Sequence, residues 1–315
     1  MRAFSLFFVI GFISLACQRT GEHAEKKPEV ISLLGVPYYE PLRSAPAQAR
    51  LDSMLNIARR NFEADPSEEN YIWLGRRVAY LSRYNEAIKI FSDGIEKYPE
   101  SFRLFRHRGH RYISIREFDK AVADLQQAAA LMQGHPLEIE PDGQPNRLNI
   151  PLGTTQFSVW YHLGLAHYLS GNFKDALMAY EACMKVSDKD DLIVATADWL
   201  YMTYRRLGME EEAATLLEMI SEDMEIIEND SYHLRLLMYK GIRTPESLLE
   251  INPDVEDPDL SVATQGYGLG NWYLYNGDSA KAKDIFERVV SGKHWAAFGF
   301  IAAEAELARM QSTED

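Results

Sequence analysis

The sequence predicts an all-α fold, a solenoid of about six helical hairpins with a capping helix at each end, and three observations predict it. A glycine is followed twelve residues later by an alanine at Gly75 and Ala87, Gly109 and Ala121, Gly164 and Ala176, and Gly270 and Ala282. The units share one spacing: Glu68 to Phe102 is 102 − 68 = 34 residues, and Val194 to Ala263 is 263 − 194 = 69, close to two such steps. Between these marks, apolar residues recur at three- and four-residue intervals, the period of a helix with one buried face.

The elements follow in order. A first helix over 47–64 stops before Pro66 and reads as a half-repeat cap. Repeats then run over 68–101 and 102–135. In the first, "YIWLGRRVAYLSRYNEAIKIFSDGIEKYP", Gly75, Ala87 and Gly94 fall where two helices cross, and a larger side chain there would push the backbones apart. Pro99 lacks the donor needed to continue the second helix.

Residues 136–156 interrupt the spacing. Prolines at 136, 141, 145 and 151 restrict the chain, and Asp142-Gly143 signals a turn. Leu137, Ile139, Leu148, Ile150 and Leu152 offer anchors, so the insert is expected to be ordered, folded over one edge of the array near Arg106, His110 and Tyr161. Thr154, Thr155 or Ser158 is placed to cap the helix that follows.

The spacing resumes over 157–190 and again over 194–227, where Tyr201 stands at a usually small position. A degenerate repeat is expected over 228–262, with helices near 232–240 and 245–251, before a last clear repeat over 263–296. A final amphipathic helix over 295–311 should cap it. Cys183 sits at a small buried position and reads as a structural thiol.

These marks closely resemble the tetratricopeptide repeat, a 34-residue helix–turn–helix. The resemblance covers most of residues 47–311. It implies a right-handed solenoid whose first helices line a concave face. On that frame the face carries Arg76, Tyr80, Arg103, Arg106, His110, Tyr161, Tyr168, Arg205, Arg206, Tyr232, Lys240, Tyr267, Asn271 and Tyr275, with only Glu69 and Asp198 as acids. Arginine forks and tyrosines suit an extended, partly acidic peptide or its C-terminal carboxylate. The same residues also suit arginines paired to neighbouring repeats beside stacked tyrosines. The carboxylate clamp of chaperone-binding members is not implied, because Arg76, His110 and Leu165 stand where that clamp uses Asn, Asn and Lys.

Charge excludes some functions. The chain has 315 residues, 33 Lys and Arg against 47 Asp and Glu, and a net charge of −14, which argues against nucleic acid as a partner. At the N-terminus, Arg2 precedes an apolar run over 4–15 that is too short to span a bilayer and fits a secretory signal. Ser14-Leu15-Ala16-Cys17 resembles a bacterial lipobox, although leucine usually stands where Ser14 does; an ordinary signal peptide containing a cysteine is the alternative. The resemblance implies a signal over 1–17, lipid on Cys17 and a tether over 18–46. Gln18 in place of aspartate implies the outer membrane, facing the periplasm of a bacterial envelope.

No motif carries catalysis. "GYGLGN" at 266–271 lacks the preceding strand that a phosphate-binding glycine loop needs. His107 and His110 lie among arginines, which repel a metal cation, and His162 and His167 read as core residues. No enzyme activity, cofactor or metal is expected. The expected function is a lipid-anchored scaffold that binds a protein or peptide through its concave face, in the assembly of envelope or surface complexes. The alternative is a lipoprotein that binds glycans or small molecules on the groove tyrosines and Trp160.

Overall fold

The computed structural model describes residues 27–249 and 258–314. The signal-like run and Cys17 lie outside the described residues. A short hairpin, β1 (Val30–Ile31) and β2 (Pro37–Tyr38), precedes α1 (Ala45–Ala64). Antiparallel helix pairs follow: α2 (Glu68–Tyr80) with α3 (Tyr84–Lys97), α4 (Phe102–Ser114) with α5 (Phe118–Leu131), α6 (Thr155–Leu169) with α7 (Phe173–Met184), and α8 (Asp190–Arg206) with α9 (Glu210–Glu218). Then come α10 (Asp230–Tyr239), α11 (Pro258–Tyr275) with α12 (Ser279–Val290), and α13 (Phe298–Glu314). The fold is an all-α right-handed solenoid in which each pair packs on the next.

The crossing-point glycines show why the spacing exists. A Cβ on Gly75 would lie 2.3 Å from the Phe91 ring, and one on Gly164 would lie 2.7 Å from the Tyr180 ring. Each of those rings comes from the second helix of the same repeat and is fully buried. Gly75→Ala is therefore expected to destabilise the fold by about 1–3 kcal/mol, the overpacking cost outweighing alanine's better helix propensity. Urea unfolding of the variant checks this; a stability equal to or above wild type would refute the packing account.

Where the pattern weakens, the structure changes. Tyr201, in place of the small residue, stacks its ring on Tyr239 of α10, 4.4 Å between centroids, and shares a core cluster with Ala213 and Leu217 of α9. The helix expected near 245–251 is only one turn of 3-10 helix, Glu246–Leu249, with Leu248 buried against Met238, Leu269 and Ile285. Residues 250–257, which follow that turn, are not described. The helix after the insert starts at Thr155, capped by the Thr154 hydroxyl, which accepts from the Phe157 amide at 3.1 Å. α8 begins at Asp190, earlier than the repeat frame, because the Asp191 carboxylate accepts the amides of Ile227, Glu228 and Asn229 and ties the next loop to this helix end.

The two ends of the array meet. Tyr38 of the N-terminal hairpin stacks on Trp295 at 5.7 Å, the Trp295 indole donates to the Tyr39 carbonyl, and the Leu33 amide donates to Glu304 of α13 at 2.8 Å. α13 packs on α11 and α12 and also reaches α6, the helix that follows the insert.

Candidate functional site

The concave face is occupied by the chain itself. Phe298 at the start of α13 sits 5.3 Å from the His110 ring and 6.4 Å from that of Tyr161. Phe300, Ile301, Ala302 and Ala303 are fully buried, as are Glu304 and Glu306. Buried carboxylates need cations, and the face supplies them. Glu306 accepts from Arg206 at 2.6 Å and from Arg309 at 2.7 Å. Burial pushes the Glu306 carboxyl up, but these two guanidiniums overcome it and hold it below its ordinary range.

Glu304 takes both oxygens to Arg116, at 2.8 and 3.1 Å. Arg116 belongs to the turn between α4 and α5 and has a left-handed backbone, φ 66°. The later repeats place Gly171, Gly208 and Gly277 at the equivalent turn position, all left-handed. A non-glycine residue pays strain there, and Arg116 uses the position to send a guanidinium inward, where it also donates to the carbonyls of Ser114 and Trp295.

The tyrosines proposed for the groove form an internal network. The Tyr168 hydroxyl accepts from Tyr267 and from Asn271, both at 2.9 Å, and all three residues are fully buried. Tyr161 accepts from the Trp199 indole at 2.8 Å and donates to Tyr232 at 3.2 Å. Burial raises the Tyr161 and Tyr267 hydroxyls well above the ordinary value, so they stay protonated hydrogen-bonding groups. With no exposed ring face, Tyr161, Tyr168 and Tyr267 offer no platform on which a sugar could stack.

Arg205 donates to Tyr201 and Asn276 and lies over the half-buried Tyr275 ring at 4.6 Å. Arg103 pairs with Glu69, and Arg76 bonds the Tyr80 hydroxyl. Asp198 pairs with Arg235 in the core, and Lys240 donates to the Ile220 carbonyl. The residues assigned to the face from sequence are thus mostly brought together, and mostly partnered within the chain.

The insert crosses the mouth of this face as a strap. Glu140 pairs with Arg106 at 3.0 Å, the Gly143 carbonyl accepts from Arg77 at 2.8 Å, and farther on Asn146 donates to Glu228 and Arg147 to the Ile226 carbonyl. It therefore ties α2 and α4 to the loop after α9. Sequence reasoning missed Arg116, Glu140, Glu304 and Glu306. The signal for the last two was present: "AAEAEL" sets two acids inside an otherwise apolar helix.

Cys183 is buried, lies 3.3 Å from the Thr196 hydroxyl and has its thiol pushed up to about 12 by burial, so it is an inert thiol. Among the described residues no group of three or more His, Cys, Asp or Glu is placed to hold a metal, and no helix is long and apolar enough to cross a membrane.

Away from the concave face, one large cleft lies in the seam between the two ends. Its volume is about 740 Å3, and it is lined by Tyr38, Tyr39, Leu42, Tyr84 and Trp295, with Arg43 and Lys293 at the rim. Leu42 is 103 % exposed, and Ile31, Val36 and Tyr39 nearby in sequence are exposed as well.

A stack of helical hairpins closed on itself, with partnered polar groups inside and an apolar cleft outside, defines a helical-repeat scaffold. Two models described as "Tetratricopeptide repeat" match, one over residues 157–190 and one over 266–291. The chain carries tetratricopeptide repeats. No curated protein matches it. Among solved structures, it is similar to a tetratricopeptide repeat protein from Parabacteroides merdae, at 15 % identity over 83 % of this chain and 94 % of that one, with a TM-score of 0.49. It is also similar to YrrB, described as a TPR protein with an unusual peptide-binding site, at 14 % identity over 81 % and 97 %, TM-score 0.42. MamA matches at 18 % identity over 63 % of this chain and 89 % of its own, TM-score 0.42.

Proposed function

We propose that this tetratricopeptide-repeat protein is a non-catalytic interaction scaffold, held to a bacterial envelope membrane by lipid on Cys17, and that it engages a partner protein through the seam cleft. Repeats of this kind are protein-interaction modules. The observation that carries the choice of surface is the full exposure of Leu42 beside a cleft of about 740 Å3. Contiguous exposed apolar surface marks an interaction site, whereas Tyr161, Tyr168, Tyr267 and Arg206 of the concave face are buried or half-buried and bonded to other residues of the chain. The partner segment is accordingly apolar, and it meets Leu42, Tyr39 and Trp295. The hairpin that walls the cleft lies within the 18–46 segment that would follow a lipidated Cys17, so a lipid anchor would hold the docked partner near the membrane.

A photocrosslinker at position 42 in cells should capture one dominant protein, and Leu42→Asp with Tyr39→Ser should weaken its co-purification at least about tenfold, a loss of about 1.4 kcal/mol or more. An unchanged interaction profile in that double variant would refute the cleft. The anchor is tested separately: Cys17→Ser should abolish incorporation of labelled palmitate and release the protein from membranes.

A further inference from the structure

We propose that a second, smaller cavity beneath the strap is a binding site for one free oxyanion of the phosphate or sulfate class. The cavity lies between α2, α4 and the insert, has a volume of about 110 Å3, and is lined by Arg76, Arg106, Arg111, His107, His110 and Glu140, with Tyr80 and Phe91. At about 30 Å3 per water in the liquid, it has room for one tetrahedral oxyanion and none for a chain segment. The strap roofs it closely: a Cβ on Gly143 would lie 1.7 Å from the Tyr80 hydroxyl and 2.8 Å from Arg76 Nη2.

The wall charges do not balance. Three guanidiniums face one carboxylate, giving 3 − 1 = +2 in the wall, and Asp142 approaches Arg76 from the lip. Arg76 and Arg106 are buried. Arg111 has no ion-pair or side-chain hydrogen-bond partner among the described residues and only lies over the Tyr84 ring at 5.4 Å. Burial, with Arg106 and Arg76 nearby, lowers it to about 10. Both histidines are held neutral, first by burial and then by the arginines, so neither adds charge.

Arg106 Nε and His110 Nδ1 are shut off from solvent without a partner. An isolated buried cation is costly unless it meets an anion, and guanidinium forks fit oxyanions. Glu140 is the internal competitor: it occupies Arg106 through one oxygen at 3.0 Å while its other oxygen is unbonded. An incoming oxyanion would take donors from Arg76, Arg111 and the free Nε of Arg106.

The test is thermal unfolding and calorimetric titration of the full chain in chloride buffers free of oxyanions. Phosphate and sulfate should each raise the melting temperature by about 3 °C or more near saturation, while added chloride at equal ionic strength should not. Arg111→Met should abolish the effect and, having lost an unpaired, half-buried cation, should melt higher than wild type without ligand. Glu140→Gln should bind phosphate at least about tenfold more tightly, because the competing carboxylate is gone.

Absence of a shift in the wild type, or a full shift surviving in Arg111→Met, would overturn the site. Acetate matching phosphate at equal concentration would overturn the ligand class in favour of a carboxylate. Leu42→Asp should leave the phosphate response intact, so failure here and failure of the cleft are separate results.

Discussion

Glu304→Ala is expected to cost about 3–5 kcal/mol of folding stability, among the largest effects of any single substitution in this chain. The carboxylate lies at the meeting point of three parts of the molecule: Arg116 from the second repeat, the Leu33 amide from the N-terminal hairpin, and α13 itself. Removing it leaves the Arg116 guanidinium buried with only the Ser114 and Trp295 carbonyls as acceptors, and a buried charge without its counter-ion is far worse than a buried pair. It also leaves the left-handed backbone at Arg116 with nothing to repay its strain.

Urea unfolding monitored by tryptophan fluorescence is the measurement, and Trp295, stacked on Tyr38, places a probe on the seam. Hydrogen exchange in α13 should rise with it, since that helix closes the ring. Arg116→Met in the Glu304→Ala background should recover part of the loss, because the stranded charge is then gone. A loss below about 1 kcal/mol for Glu304→Ala alone would mean that the ends of the array are held by apolar packing and not by this pair.

How far the sequence could be read follows from where each signal resides. Gly75, Gly109, Gly164 and Gly270 are legible because a crossing point tolerates only one kind of residue, and each meets a large side chain of its own repeat. The six concave cations were legible too, but not their partners. Periodicity places a side chain on a face of its own helix; it says nothing of a helix that returns from almost two hundred residues away, as Glu304 does to Arg116. For Arg206 and Arg106 the partner carboxylates sit in α13 and in the strap, where no spacing within the repeats points. Arg116 was hidden for another reason, since its role depends on a backbone angle that glycine supplies in the later repeats. The cleft at Leu42 lies where two sequence ends meet, and no local pattern encodes that meeting.

Acid is expected to destabilise the protein between pH 7 and pH 5.5 by about 2–3 kcal/mol, through three histidines buried neutral beside arginines. His107 accepts from Arg106 through Nδ1 at 2.9 Å, so its protonation would remove an acceptor and set two cations together. His110 and His162 lie 4.2 Å apart, centroid to centroid, against Phe298, and His162 donates its Nδ1 proton to the Ser158 carbonyl. The charged groups facing them are Arg76, Arg103, Arg106 and Arg111, with Glu140 engaged on Arg106.

Burial, then these cations, holds all three far below 6.5, the value expected in the unfolded chain. The unfolded state therefore takes up protons below pH 6.5 that the folded state refuses, and stability is lost as pH falls, by about 1.4 kcal/mol per unit for each histidine. Over this interval the three together come to about 4 kcal/mol. Asp198 works in the opposite direction: burial raises its carboxyl to about 7 against the pull of Arg235, so it favours the folded state at low pH and loses that contribution as pH rises through about 7. Its offset is on the order of 1–2 kcal/mol, which leaves the net loss stated.

Unfolding curves in oxyanion-free buffers across this range measure the slope directly. His107→Gln keeps an acceptor for Arg106 and cannot titrate, so it should flatten the slope by about half, and His162→Gln should do likewise. Equal stability at pH 7 and 5.5 in the wild type, or an unaltered slope in both variants, would show that the charge-sensitive part of the fold lies elsewhere than under the strap and α13.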